Sequence, residues 1–149
     1  RVCLENGAEL ALDYSDDTWI EAVREHTGGR GFDLLFDPVG GETFDRALKV
    51  IAFEGRAVII GFAGGAIQQI ASNRLLLKNA SAVGAIWGRY LTEDPAYAHT
   101  VVADCFRLLA AGKIKPCVWR TYGLDEVPAA LQALDTRQTW GKVMVRVAA

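Results

Sequence analysis

Cysteine is scarce and unpaired in this sequence. Cys3, Cys105 and Cys117 are an odd number at scattered positions, with no Cys-x-x-Cys among them and only His26 and His99 to complete a metal site. No zinc pattern follows from that set, and no metal is expected. Nothing beside the three thiols would lower a pKa, so they read as buried or half-buried free cysteines of a reducing, cytoplasmic compartment. Long apolar runs are also missing. Residues 80–87 form the most apolar stretch and fall far short of the ~20 residues that cross a bilayer. The amino terminus carries no signal-peptide pattern, so no membrane partner is expected. Nor is there an excess of one charge: 16 Lys and Arg stand against 18 Asp and Glu, a formal net charge of −2. That balance leaves no basic face for nucleic acid. What the chain does have is apolar content, 51% of 149 residues, enough to bury a sizeable core without disulfide or metal staples.

Turn signals and hydrophobic periods divide the chain into alternating strands and helices. Gly7 stands where a helix C-cap glycine would, so the first residues read as the tail of a helix that begins upstream. Residues 9–14 read as a short strand. Ser15, Asp16 and Asp17 offer a cap and first-turn acids to a helix with Trp19, Ala22, Val23 and His26 on one face, stopped by Gly28-Gly29. Residues 32–36 suit a parallel strand covered on both faces. Phe44, Ala47, Leu48 and Ile51 recur at helical spacing and predict a helix over 42–52. A buried strand over 56–61, a short helix over 73–78 and a strand over 80–86 follow. Pro95 opens the longest helix, with Ala98, Val101, Val102, Cys105, Leu108 and Leu109 as its stripe and Gly112 as its cap. A strand over 115–122, a helix over 125–136 and a strand over 142–147 complete the alternation.

Strands separated by helices pair in parallel through right-handed crossovers, so the expected class is α/β with a doubly wound parallel sheet. Such sheets bind ligands beyond the carboxyl ends of their strands. Those ends are Tyr14, residues 37–41, residues 60–64 and residues 86–89, and three of the four carry glycine. Glycine lets backbone N–H groups approach a large flat ligand, although turns alone would also require it.

Three runs carry a family resemblance: Phe36-Asp37-Pro38-Val39-Gly40-Gly41-Glu42-Thr43-Phe44, Gly55-Arg56-Ala57-Val58-Ile59-Ile60-Gly61-Phe62 and Leu75-Leu76-Leu77-Lys78-Asn79. With the closing run Thr136-Arg137-Gln138-Thr139-Trp140-Gly141-Lys142-Val143, they resemble the medium-chain dehydrogenase/reductase superfamily, and more narrowly its zinc-free quinone oxidoreductase branch. The resemblance spans essentially the whole chain. It implies a Rossmann-like, NAD(P)-binding sheet of order 3-2-1-4-5-6, of which this sequence holds strands 3, 4, 5 and 6. In that family a GroES-like substrate domain and a glycine-rich phosphate turn come first, and the sequence starts after both. Residues 1–113 are therefore expected to be a partial cofactor-binding domain. Residues 114–149 should be the return toward the substrate domain.

Several site residues follow from the resemblance one at a time. Tyr14 resembles the family tyrosine against the adenosine 2′-phosphate, which implies NADP(H). A strand-end tyrosine with a buried ring and a wet hydroxyl is the alternative. Pro38 and Val39 match the adenosine-side lining, and Ile60, Gly61 and Phe62 match the strand end that approaches the nicotinamide. Ile60 reads equally as plain core. Arg137 resembles an arginine that reaches back toward the cofactor, or else complements a helix C-terminus from solvent. Trp87 and Tyr90 follow a strand end as walls of a substrate pocket or as ordinary structural aromatics. Asp37 reads as a cap of the turn after it rather than as a catalytic acid. No catalytic side chain is expected within this chain.

The implied activity is NADPH-dependent hydride transfer to a quinone, enone or similar activated double bond. The alternative is an NADP-binding and dimerisation module with no turnover of its own. The resemblance also implies a homodimer, joined through an apolar edge strand at 81–86.

Overall fold

The structure, a computed structural model, describes residues 1–147. In chain order its elements are α1 (Val2–Glu5), α2 (Trp19–His26), β1 (Phe32–Asp37), α3 (Gly41–Leu48), β2 (Ile51–Ile59), α4 (Ser72–Lys78), β3 (Ser81–Gly84), α5 (Tyr90–Glu93), α6 (Pro95–Ala110), β4 (Val118–Gly123), a 3-10 turn (Leu124–Glu126), α7 (Val127–Asp135) and β5 (Lys142–Arg146). Strands and helices alternate and every strand pair is parallel, as the α/β reading requires. The chain forms two compact units, residues 8–94 and residues 1–7 with 95–149.

The 8–94 unit holds a three-stranded sheet of order β1-β2-β3. Its core has two clusters. Trp19 and Ile20 of α2 meet Ala47 and Val50, while Phe44, Leu48, Ile51 and Ala57 form the second cluster with Ile59, Ile70, Leu75 and Ala80 around them. Phe32 and Leu35 of β1 pack against both clusters and join them. Phe44 is fully enclosed, at 0% exposure. The apolar stripe of α3 therefore does what its spacing predicts.

Three expectations need correction in this unit. Residues 9–14 form no strand. The segment is irregular, ending in a turn at Tyr14; among the described residues no ladder partner pairs with it, and Leu10, Leu12 and Tyr14 remain exposed. The helix expected over 42–52 ends at Leu48, and Ile51 begins β2 instead. The Val50 carbonyl accepts from the Phe32 amide at 3.2 Å, drawing the chain into the sheet. Ile51 still reaches the Phe44 cluster, so its helical spacing was satisfied by a strand. Finally, β1 is covered on one face only, since Leu34 and Phe36 are 59% and 66% exposed.

Strand β2 is irregular at its start. Phe32 pairs with Ile51 and Leu34 already pairs with Arg56, so residues 52–55 stand out of the ladder. Glu54 takes a left-handed φ of 60° there. Regular pairing begins at Arg56, where the sequence places its strand.

In the other unit, β4 and β5 form a parallel pair, with Tyr122, Ala130 and Ala133 buried. The 3-10 turn is closed by the Gly123 amide donating to Glu126 Oε2 at 2.8 Å. Pro95 is the first residue of α6, as expected, and Gly112 ends it at φ 67°. Of the α6 stripe only Ala98 is buried. Cys3 in α1 and Cys105 in α6 are exposed and Cys117 is half-buried, which corrects the expectation for the first two.

Candidate functional site

Parallel pairing without register error at the carboxyl ends places Asp37, Ile59 and Gly84 side by side across β1, β2 and β3. The three exits therefore open on one rim of the 8–94 unit. Backbone bonds stitch them together. Ile60 N donates to Asp37 O at 2.8 Å, Ala63 N to Pro38 O at 2.9 Å, Gly64 N to Val39 O at 2.8 Å and Ala85 N to Ile59 O at 2.9 Å.

Asp37 is buried at 4% exposure and serves the turn after β1. Its carboxylate accepts from Val39 N at 3.2 Å and from Gly40 N at 2.9 Å. A buried carboxylate needs such donors, so Asp37 caps the turn, as the sequence suggests, and is not free for proton transfer. Gly40 has φ 76° and ψ −165°, a region that side chains avoid. A Cβ there would also stand 3.0 Å from the Ala66 carbonyl and 3.1 Å from the Phe62 ring. Glycine is thus required twice over, by backbone angle and by space.

Two cavities open along this rim. One, of about 450 Å³, is lined by Tyr14, Pro38 and Val39 together with Leu10, Leu12, Trp19, Phe36 and Asp37. The other, of about 500 Å³, is lined by Ile60, Ile86, Trp87 and Tyr90 with Phe36, Gly84, Ala85, Arg89 and Glu93. The Trp87 and Tyr90 rings lie 6.1 Å apart at a 34° tilt. Phe36 lines both cavities.

The expected site residues are thus partly gathered. Tyr14, Pro38 and Val39 share the first cavity and Ile60 lines the second. Gly61 follows Ile60, and a Cβ on it would meet only Pro38 O, at 3.6 Å. Phe62 is turned toward the Gly40 backbone. Arg137 belongs to the other compact unit, where it is the left-handed residue after α7, at φ 54°, with its amide donating to Leu134 O at 3.1 Å. The sequence places Ile86 and Arg89 in a ligand-binding strand end, residues 86–89, without singling them out, and does not point to Phe36 or Glu93 as site residues. Phe36 is visible as the last apolar residue before the β1 exit, but nothing in the spacing marks Glu93.

The electrostatics around Tyr14 are acidic. Hydrogen bonds from the Ser15 hydroxyl and amide hold the Asp13 carboxyl below the ordinary aspartate range. The Thr18 amide and hydroxyl do the same for Asp16. The nearby Arg46 guanidinium pairs with Asp17 Oδ1 at 3.0 Å and lies 5.5 Å from the Trp19 ring centroid. Among the described residues no group of three or more His, Cys, Asp or Glu is placed to hold a metal ion. No described helix is long and apolar enough to cross a membrane.

A sequence model of the zinc-binding dehydrogenase family matches residues 6–145. The quinone oxidoreductase-like protein 2 of Bos taurus is 36% identical over 146 residues, 97% of this chain and 42% of that protein. Its homolog in Nematostella vectensis is 38% identical over 142 residues, 95% of this chain and 39% of that protein. Among solved structures, a mycobacterial protein complexed with NADPH superposes with a TM-score of 0.81 at 29% identity, covering 95% of this chain and 44% of that one. The chain thus spans about two fifths of the length of the curated relatives it matches.

Proposed function

Since this chain belongs to the zinc-binding dehydrogenase family, in the quinone oxidoreductase-like branch of the medium-chain dehydrogenase/reductase superfamily, we propose that it is the cofactor-binding portion of an NADPH-dependent oxidoreductase. The whole protein transfers hydride to a quinone, enone or similar activated double bond. The observation that carries this reading is the flush row of strand exits at Asp37, Ile59 and Gly84, with two cavities that share Phe36 in their linings. Relatives named as quinone oxidoreductases, and a neighbour complexed with NADPH, support it.

The chain's own residues suit a dinucleotide. Gly61 has room on its Cβ side, which leaves backbone open to close approach. Tyr14, Pro38 and Val39 wall an apolar recess of the right scale for an adenosine. In this reading those three residues hold the adenosine side, Ile60, Gly61 and Phe62 orient the nicotinamide side, and Arg137 reaches toward the cofactor in the whole protein. When bound, the nicotinamide supplies hydride. The protein supplies orientation and a dry cleft. The cavity of Ile60, Ile86, Trp87 and Tyr90 is the acceptor side, where two aromatic rings offer faces to a planar acceptor. No side chain of this chain acts as acid or base. Within this scheme residues 1–113 are the cofactor domain and 114–149 the return toward a substrate domain, residues 148–149 lying outside the described ones.

The test is calorimetric titration of the chain with NADPH and with NADH, alongside Tyr14→Phe and Arg137→Ala. NADPH binding that either substitution weakens supports the reading. Binding of NADH with equal or greater affinity overturns the NADP preference, a real alternative given the ionised Asp13 and Asp16 beside Tyr14. Absence of binding at millimolar cofactor overturns the assignment of these residues. We also propose a cytoplasmic homodimer joined at the outer edge of β3, within residues 81–86. Among the described strands β3 pairs only with β2, so its other edge offers unmet N–H and C=O groups. Sedimentation of the whole protein as a monomer would overturn that pairing.

A further inference from the structure

The acceptor-side cavity is apolar almost throughout. Its two charged lining residues are Arg89, which precedes α5, and Glu93, the last residue of α5. They are four residues apart on one helical turn, and Arg89 Nε lies 3.2 Å from Glu93 Oε1. Both side chains are mostly exposed, at 69% and 62%, so they stand at the rim and not in the floor. A guanidinium at the mouth of an apolar, aromatic-lined pocket would by itself attract a carboxylate, sulfonate or phosphate group on a ligand. Here its charge is already met by its neighbour.

We infer that Glu93 sets the charge preference of this cavity: by pairing with Arg89 at the rim it makes the pocket a site for flat, uncharged apolar acceptors and withholds the cation that an anionic acceptor would use. The inference rests on the reading of this cavity as the acceptor side. The size agrees, since about 500 Å³ accommodates a two-ring quinone. The walls agree too. Trp87 and Tyr90 present their rings 6.1 Å apart, faces that a planar ligand can stack on without any charge of its own.

Trp87 supplies the readout, because a quinone seated against it quenches indole emission. The chain is titrated with naphthoquinone and with naphthoquinone sulfonate, as wild type, Glu93→Gln, Arg89→Gln with Glu93→Gln, and Trp87→Phe. The expected result is that wild type binds the neutral quinone more tightly than the sulfonate. Glu93→Gln strengthens sulfonate binding about three- to tenfold, the range for one uncovered charge a few ångströms away in a partly wet site, and shifts the neutral quinone by a clearly smaller factor. The double substitution returns the sulfonate to its wild-type affinity. Added salt narrows the gain in Glu93→Gln, since an exposed charge is screened. Trp87→Phe removes the quench for both probes.

Three results overturn the inference: no change in sulfonate affinity on Glu93→Gln, an equal change for both probes, or a quench that survives Trp87→Phe. None of these titrations requires cofactor. Loss of NADPH binding with the charge discrimination intact therefore counts against the cofactor reading alone, and the reverse pattern counts against Glu93 alone.

Discussion

Asp37 illustrates how burial decides the role of a single residue. Its two oxygens are spent on the amides of Val39 and Gly40, so removing the carboxylate strands two backbone donors in a buried turn. Asp37→Ala should cost about 1–3 kcal/mol of stability, read as a lowered urea midpoint. Phe44 is the opposite case, with no polar obligation and full enclosure. Phe44→Ala leaves a cavity and should cost about 3–5 kcal/mol by the same measurement. Glu54 holds a left-handed backbone that glycine adopts without strain. Glu54→Gly should therefore be neutral or stabilising by up to about 1 kcal/mol, unlike glycine at most strand positions. The turn role of Asp37 could be read from its neighbours, since an aspartate before Pro-Val-Gly-Gly is a local pattern. The left-handed Glu54 could not, because glutamate carries no signal for that conformation and the loop of residues 52–55 is fixed by pairing with a strand far away in sequence.

At the scale of elements, glycine and proline signals hold where the chain stops or starts on its own chemistry, whereas the side-chain caps expected for α2 are absent, its N-cap being Thr18. Gly7, Gly28, Gly29 and Gly112 all take positive φ at helix ends. Pro95 begins α6, and the short helix expected over 73–78 is present, with Ser72 inside it as its first residue. Signals failed where one spacing served two structures. Ile51 completes an apolar period for α3 yet belongs to β2, since strand and helix both bring it to the Phe44 cluster. The entry to α2 shows a further division of labour. Asp16 accepts from the Thr18 amide and hydroxyl and stays ionised below the ordinary aspartate range; Asp13 does so through Ser15, and Asp33 through the two-pronged Arg30 contact. For groups depressed in the folded state, the stabilising contribution is complete above the unfolded value and is lost as pH falls through the folded one. The Ser15 and Thr18 amide resonances should therefore hold steady from neutral pH down to about pH 4 and shift below it. Asp16→Asn should abolish the acid-dependent shift at Thr18 while leaving that at Ser15.

For the whole molecule, the alternation of elements was enough to give parallel pairing and the rim on which the strands end. It could not give the two cavities along that rim, because their linings gather residues from separate elements. Phe36, on the open face of β1, is part of both linings. Phe36→Ala should weaken both the NADPH and the naphthoquinone titrations, whereas Tyr14→Phe should touch the first alone. A ring shared in this way is also a thermodynamic link. Whatever a molecule in one recess does to the rotamer of Phe36 alters the shape met by a molecule in the other. Reciprocity then requires equal factors in both directions: the fold by which the dinucleotide changes affinity for an acceptor is the fold by which the acceptor changes affinity for the dinucleotide.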